Sequence, residues 1–422
     1  LRLCREAVYM QKETTSSSED TEFGSPPKRL VYLGVQSLVS QADMPEHHTA
    51  QSQTDVKARQ DTHEDKMQKV VRRSSIVEQF QVSSNTPIPD APVGGARVRV
   101  HYAGACYTER QILKAGRRRP KMGGIQDTSL YPGYEISGVI DSLCNTVATT
   151  EYWVGERVIV YPEDDDMEDL QDGYVEYLTV KDVKNLVKIP ANLSLQVAAM
   201  LPSGGLAAIS AVHSLRPFIE YKMQQKGDLD LGSVNLLVVG AGALGLWTST
   251  LAKHLYQNQN LHIACADVNI EKLMVAKEQG CYDVIHWNDS LHEEYLIERT
   301  KNVCKGGVDI IIDFSSSPRT INRSMKVLGQ KGVLVVGGNS KYEVTFCLHS
   351  LAQKQQCILG VSKGTRDQLV ELANLVASNM IKPPMYTIFP VDEANKVFDQ
   401  LNQCKINGRA VLEICPDRKS VV

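Results

Sequence analysis

Apolar and polar positions along the chain fall into three textures, and each predicts a different kind of structure. Residues 1–27 show no hydrophobic period and include Ser16, Ser17, Ser18, Glu19 and Asp20, a mixture with little to bury, so this segment is expected to be disordered. Lys28 to Gly34 alternates like a short strand, whereas about 35–75 is rich in Gln, Asp, His and Lys without a clear period and reads as a polar insertion or linker. From about Ile76 the texture changes. Arg97–Tyr102, Gly133–Ile140, Glu156–Val160 and Tyr174–Val180 are short apolar or alternating runs among turns, the mark of a β-rich unit. After Leu206 the order becomes strand, helix, strand, helix through Val234–Val239, Ala243–Tyr256, His262–Ala266, Asn269–Gln279, Val308–Phe314, Pro318–Leu328 and Gly332–Gly337. That alternation predicts a doubly wound parallel sheet, and the fold class is α/β. A last stretch with Lys382-Pro383-Pro384, a helix over about Val391–Gln403 and a strand over Ala410–Ile414 is expected to return to the β unit.

Composition narrows the partners. Lys+Arg 46 against Asp+Glu 49 leaves a formal charge of -3 without a sustained basic patch, which argues against nucleic acid as a main partner. No apolar run reaches the roughly 18 residues of a membrane span. The ten cysteines contain no C-x-x-C pair, which suits a reducing compartment better than a disulfide framework or zinc ribbon, and the expected location is the cytoplasm. The chain starts at Leu1 rather than Met, so it can be a fragment or a processed product, and its first segment is too acidic for an ordinary mitochondrial presequence. Arg72-Arg73-Ser74-Ser75 has the form of a basophilic kinase site, but such strings are more often the exposed basic end of a linker.

The strongest chemical signal is Gly240-Ala241-Gly242-Ala243-Leu244-Gly245, set between an apolar strand and an amphipathic helix. Gly240 permits the tight turn, Gly242 lets a pyrophosphate approach the backbone, and Gly245 lets helix pack on strand, while the helix start supplies amide donors. Asp267 ends the second strand about 20 residues on, where a carboxylate can accept from both adenosine ribose hydroxyls and repel a 2′-phosphate. The loop with Asp267 therefore points to NAD(H) over NADP(H).

Taken together, Ala103-Gly104-Ala105-Cys106-Tyr107-Thr108-Glu109, Pro132-Gly133-Tyr134-Glu135, Val154-Gly155-Glu156-Arg157-Val158, the glycine loop and Gly364-Thr365-Arg366 resemble the medium-chain dehydrogenase/reductase superfamily, especially its alcohol and polyol dehydrogenase branch, over roughly Ser75–Ile414. The resemblance implies a GroES-like catalytic domain over 28–205 carrying the insertion, a Rossmann NAD-binding domain over 206–375, and a return segment over 376–422. It implies cofactor contacts from Lys272 beside the ribose and Arg409 near the pyrophosphate, a small-molecule substrate and a homo-oligomer.

The same resemblance assigns the catalytic zinc ligands to Cys106, Tyr134 and a position near Ser203, and only Cys106 is a good ligand there; a neutral phenol or hydroxyl must shed its proton to bind Zn²⁺ strongly. Glu135 can replace one lost ligand, but none of the ten histidines lies between Tyr102 and Pro202. The acidic run Glu163, Asp164, Asp165, Asp166, Glu168 and Asp169 stands where zinc enzymes carry a cysteine lobe, and reads as a solvated loop before a calcium site. No metal residue is assigned, and zinc is not expected. Thr108 keeps the family's proton-passing hydroxyl, Tyr134 or Tyr107 offers a phenolic donor, and Gln111 stands where a relay histidine is usual. The expected function is a zinc-independent NAD(H)-dependent oxidoreductase acting on a small carbonyl, enone or alcohol. The alternatives are a nucleotide-binding sensor or scaffold without turnover, and a zinc dehydrogenase with atypical ligands.

Overall fold

The architecture was obtained as a computed structural model and is described for residues 66–72, 80–105, 135–147, 151–162, 173–226, 232–305, 307–337, 342–403 and 405–416. The expected disordered segment 1–27, the strand Lys28–Gly34, most of the insertion, Cys106, Tyr107, Thr108, Gln111, Tyr134 and the acidic run from Glu163 to Asp169 lie outside the described residues.

Chain order begins with a hairpin. β1 (Lys66–Arg72) pairs antiparallel with β2 (Phe80–Pro87) in a register running from Lys66 opposite Pro87 to Arg72 opposite Phe80. The last residues of the stretch read as a polar insertion or linker, about 35–75, thus form a strand. The run KMQKVVR lacks the apolar alternation that marks a half-buried strand, and pairing with β2 satisfies its backbone without it.

The β unit is a seven-stranded sheet. β3 (Ala96–Ala105) lies at its centre, with β4 (Ile136–Leu143), β5 (Arg157–Val160) and β7 (Leu186–Lys188) following on one side. Its other edge is shared. β6 (Tyr177–Val180) pairs with the first half of β3, and β15 (Arg409–Glu413) with the last part, through Ala410 opposite Ala105 and Leu412 opposite Ala103. β14 (Tyr386–Pro390) adds outside β15 in parallel. The last strand of the chain thus completes the first sheet, and Val397 and Phe398 pack into the same core as Val98, Val100 and Ala410.

Two short elements lead out of this sheet: α1 (Leu195–Ala198), capped by Ser194, and a π-helical turn over Leu201–Gly205. α2 (Leu206–Ser214) and α3 (Arg216–Lys226) follow and had no counterpart in the strand–helix alternation read from the sequence. α2 is buried along most of its length, so its polar face is too narrow to give a clear period.

The second sheet is six-stranded and wholly parallel, in the order β10–β9–β8–β11–β12–β13. Its strands are β8 (Val234–Val239), β9 (Leu261–Asp267), β10 (Asp283–His286), β11 (Val308–Asp313), β12 (Leu328–Val336) and β13 (Cys357–Gly360). Between them run α4 (Ala243–Leu255), α5 (Ile270–Glu278), α6 (Glu293–Val303), α7 (Pro318–Val327) and α8 (Leu348–Gln353), then α9 (Arg366–Ala377) and, later, α10 (Ala394–Asn402). The order is that of the Rossmann fold. Leu236 and Val238 enter one core with Trp247 and Leu251, whereas Leu237 and Val239 enter a second with Ala264, Ile311 and Trp287. Both faces are therefore covered, and that is why β8 reads as an apolar run interrupted only at Asn235, whose side-chain amide donates to Cys304 O and Gly307 O. No described helix is long and apolar enough to cross a membrane.

One buried cation braces the second core. Arg323 on α7, 1% exposed, grips Glu293 of α6 through two bonds of 2.7 and 2.8 Å, and its guanidinium lies 4.7 Å from the Trp287 ring centroid. The pair holds the Glu293 carboxyl below its ordinary range. Glu293 is 27% exposed, so water recovers part of the loss when its partner is removed. Arg323→Ala is accordingly expected to cost about 2–3 kcal/mol, below the loss typical of fully buried pairs. Urea unfolding should show this as a lower midpoint, with Arg323→Lys falling between because it keeps charge but loses the fork.

Candidate active site

The glycine loop sits where β8 gives way to α4, at the carboxyl edge of the parallel sheet. Gly240 has φ +103°, a conformation that L side chains rarely adopt, and its N–H donates to Ala266 O at 2.8 Å. Gly242 caps α4, and a Cβ built there meets nothing within 4 Å, so the space in front of its backbone is open. A Cβ at Gly245 would instead run into the Gly240 carbonyl, which is the close helix–strand packing expected of that position. Ala243 and Leu244 form the half-buried first turn of α4 between them.

Asp267, at the end of β9, accepts from Ala241 N at 2.7 Å through Oδ2 and from Asn269 N at 2.8 Å through Oδ1. Each oxygen keeps a second acceptor direction, which suits a vicinal diol. Asn269 in turn caps α5 by accepting from Glu271 N and Lys272 N at 2.8 and 3.1 Å, so Lys272 stands, half-buried, in the first turn after the carboxylate. The loop, the free lone pairs and the open space over Gly242 fit an anionic dinucleotide.

Arg409 opens β15 and is buried. Its guanidinium pairs with Glu135, which is itself fully buried and accepts from Gly204 N at 2.9 Å. Glu135 was a candidate replacement metal ligand; its carboxylate is instead engaged by Arg409 and the amide of the π-turn. No spacing in the sequence announces this pair, since its members are distant and meet only because β15 joins β3. Ser203 lies one residue from that amide, half-buried. The end of β3 meets the residue before β4, where Gly104 N donates to Glu135 O at 2.8 Å; Cys106, Tyr107, Thr108 and Tyr134 lie outside the described residues. Among the described residues no group of three or more His, Cys, Asp or Glu side chains is placed to hold a metal.

A further carboxyl group at this edge has no counterpart in the sequence reading. Asp313 ends β11, is fully buried, and accepts from Ser316 N at 2.8 Å through Oδ1. It holds the turn before α7, where Ser316 has φ +46° and Ser315 Oγ lies 3.3 Å from where a Gly240 Cβ would be. The only sequence signal is an Asp before the serine-rich Ser315-Ser316-Ser317-Pro318, with Ser317 and Thr320 forming a capping box.

Two family descriptions match. The alcohol dehydrogenase GroES-like domain covers residues 93–191 and the zinc-binding dehydrogenase domain covers 243–378. The NAD-dependent alcohol dehydrogenase of Sulfolobus acidocaldarius is 27% identical over 352 residues, spanning 78% of this chain and 94% of that protein. The NADP(+) D-arabinose 1-dehydrogenase of Saccharolobus solfataricus is 24% identical over 350 residues, covering 77% and 92%. Among solved structures, the acetophenone reductase from Geotrichum candidum in complex with NAD superposes with a TM-score of 0.62 at 20% identity, covering 83% of this chain and 97% of that one. The chain belongs to the medium-chain dehydrogenase/reductase superfamily, with its GroES-like and Rossmann folds. Within it, the chain is an alcohol dehydrogenase-like oxidoreductase.

Burial without a counter-charge raises Asp313 from 3.8 to about 6, against the pull of its bonds to Ser316, Thr320 and Ser315. A carboxyl raised in the folded state keeps its proton where the unfolded chain has lost it, so its contribution to stability is lost as pH climbs from about 4 to 6. The loss corresponds to about 3 kcal/mol. Asp313→Asn keeps the acceptor for Ser316 N but cannot ionise. Unfolding curves across that window should be flatter for the variant than for the parent.

Proposed function

We propose that the chain transfers hydride between NAD(H) and a small carbonyl, enone or alcohol without catalytic zinc. The observation that carries the cofactor half is Asp267, whose carboxylate is fixed by Ala241 N and Asn269 N and keeps acceptor capacity for ribose hydroxyls. A 2′-phosphate would meet that negative charge, and the NAD-dependent relative supports the same choice where the NADP(+) relative does not. Lys272 supplies a cation beside the ribose. Arg409, steadied by Glu135, supplies one toward the pyrophosphate.

Bound NADH supplies the hydride. The chain's own residues then have to stabilise negative charge on the substrate oxygen and deliver a proton. Thr108 and one phenol, Tyr134 or Tyr107, are the donors assigned to this work, with Cys106 left as a lone soft ligand. Tyr134 and Ser203 do not complete a zinc site, and Glu135 is engaged by Arg409. Reduction of a polarised carbonyl or enone needs less help than removal of an alcohol proton, which is the step zinc assists most. On this reading 28–205 and 376–422 form the catalytic domain and 206–375 the NAD domain. The family resemblance that implies this division also implies a homo-oligomer, and the cysteine usage suits the cytoplasm.

NADH is expected to bind more tightly than NADPH in a nicotinamide-fluorescence titration, and Asp267→Ser should narrow the gap. Equal or reversed affinities in the parent would remove the assignment of Asp267.

Turnover of a panel of aldehydes, ketones, quinones and enones with NADH tests the catalytic half, alongside elemental analysis, which should find well under one zinc per chain. Thr108→Val and Tyr134→Phe should each slow reduction by roughly 10²–10³-fold with NADH affinity nearly unchanged. Parental rates in both would displace the active site. Normal NADH binding with no turnover on the whole panel would favour a sensor or scaffold, and a tightly held zinc lost in Cys106→Ala would restore the metal mechanism.

A further inference from the structure

The two large sheets share one apolar core, in which Ile159 and Val187 of the first lie with Leu236 and Val238 of the second. Apolar burial holds the halves together but has no direction. Direction comes from a short strap. The register of the parallel sheet sets Val239, Asp313, Val336 and Gly360 in one row, so the chain leaves β13 at the level where the glycine loop leaves β8, three strands or about 14 Å away. Val361 N extends that row by donating to Val336 O at 3.0 Å, and α9 starts soon after, at Arg366.

Residues 363–366 are fastened to the seven-stranded sheet by three side chains. Tyr161, the residue after β5, donates its hydroxyl to Gly364 O at 3.0 Å. Lys363 Nζ donates to Pro162 O and stands 5.0 Å from the centroid of the Tyr161 ring, so each of these two residues reaches for the other's stretch of chain. Arg366 Nη2 donates to Leu186 O of β7 at 2.9 Å and to Tyr152 Oη at 3.3 Å, and Tyr152 Oη donates to the same Leu186 O at 2.7 Å. From the other side the strap has no slack. A Cβ at Gly364 would come within 2.9 Å of Leu206 O, at the start of α2, and a capping box of Thr365 and Gln368 fixes the first turn of α9. A shift of the carboxyl edge at Val361 is therefore passed to β5 and β7 rather than absorbed in a loop.

We propose that Tyr161, Lys363 and Arg366 are positioning residues for hydride transfer: they carry the seating of the dinucleotide on the parallel sheet to the seven-stranded sheet, and so set the gap between nicotinamide and substrate. This role rests on the reading of the carboxyl edge as an NAD(H) site. A dinucleotide laid across a Rossmann edge places its second half beyond the switch point between β8 and β11, on the side of β12 and β13. The donors proposed for the substrate oxygen, Thr108 and Tyr134, belong to the stretch between β3 and β4 of the other sheet. Hydride passes from NADH to the acceptor carbon only when the two carbons stand about 3–3.5 Å apart, and the proton then goes to the substrate oxygen. The three side chains act through the backbone they hold, at Gly364, Pro162 and Leu186.

Hydrogen exchange of the full-length chain with and without NADH tests this. In the parent, NADH should slow exchange in peptides around 240–245 and also in peptides spanning 157–162 and 186–188. Tyr161→Phe, which removes one oxygen and no carbon, and Lys363→Met should bind NADH with nearly parental affinity and keep the protection at 240–245, but lose most of it in the two distant segments; Lys363→Arg should retain it. With any carbonyl or enone that is turned over, kcat should fall by up to about 10²-fold at unchanged KM, the loss typical of an ångström of misplacement. Protection in the parent confined to the nucleotide half, or variants that keep parental protection at 157–162 and 186–188, overturns the strap and leaves the NAD(H) reading intact. A parent that binds no NADH overturns that reading and the strap with it. If Lys363→Met fails to fold, the near-isosteric Tyr161→Phe decides alone.

Discussion

The buried pair of Glu135 and Arg409 is the constraint on which the arrangement of the active-site edge depends. Neither charge can be left alone in that environment, because an unpaired buried ion costs several kcal/mol. Arg409 opens the last strand, Glu135 precedes β4, and Gly204 N supplies the hydrogen bond that completes the carboxylate. Three distant stretches of chain are held to one point. The glycines around it follow from the same need for space: a Cβ at Gly104 would land on the Glu135 carboxylate, and one at Gly408, with φ +82°, on the Met385 carbonyl.

The nucleotide sheet solves a different problem with neutral means. Its strands bury both faces, and at the carboxyl edge, where β8, β9 and β11 end together, polar backbone is left outside the ladder. Two carboxyl groups shape that edge. Asp267 is half-exposed and organises the glycine loop; Asp313 is buried and fixes the turn beside it. Burial divides their work, leaving one with acceptor capacity at the surface and the other occupied with the protein's own amides.

Much of this was legible in the order of residues. β8 runs over Val234–Val239 as its apolar run indicates, and α4 starts at Ala243 directly after the glycines. Asn269 and Thr365 are caps that side-chain chemistry alone predicts. Short or edge elements were not legible. β10, β13 and β14 are four or five residues long and owe their extension to a neighbour, and β1 carries too few alternating apolar residues to declare itself. Strand pairing is a long-range property, and a window of sequence contains only one partner.

By itself the sequence determined the alternating parallel-sheet half, the glycine loop and the acidic residue that follows it, because each is encoded in local spacing and residue chemistry. Only the tertiary structure decided that Glu135 pairs with Arg409 and that Asp313 fixes the turn beside the glycine loop. Those encounters depend on which strands become neighbours and on how far burial strips water from a charge, and neither is written in the distance between residues along the chain.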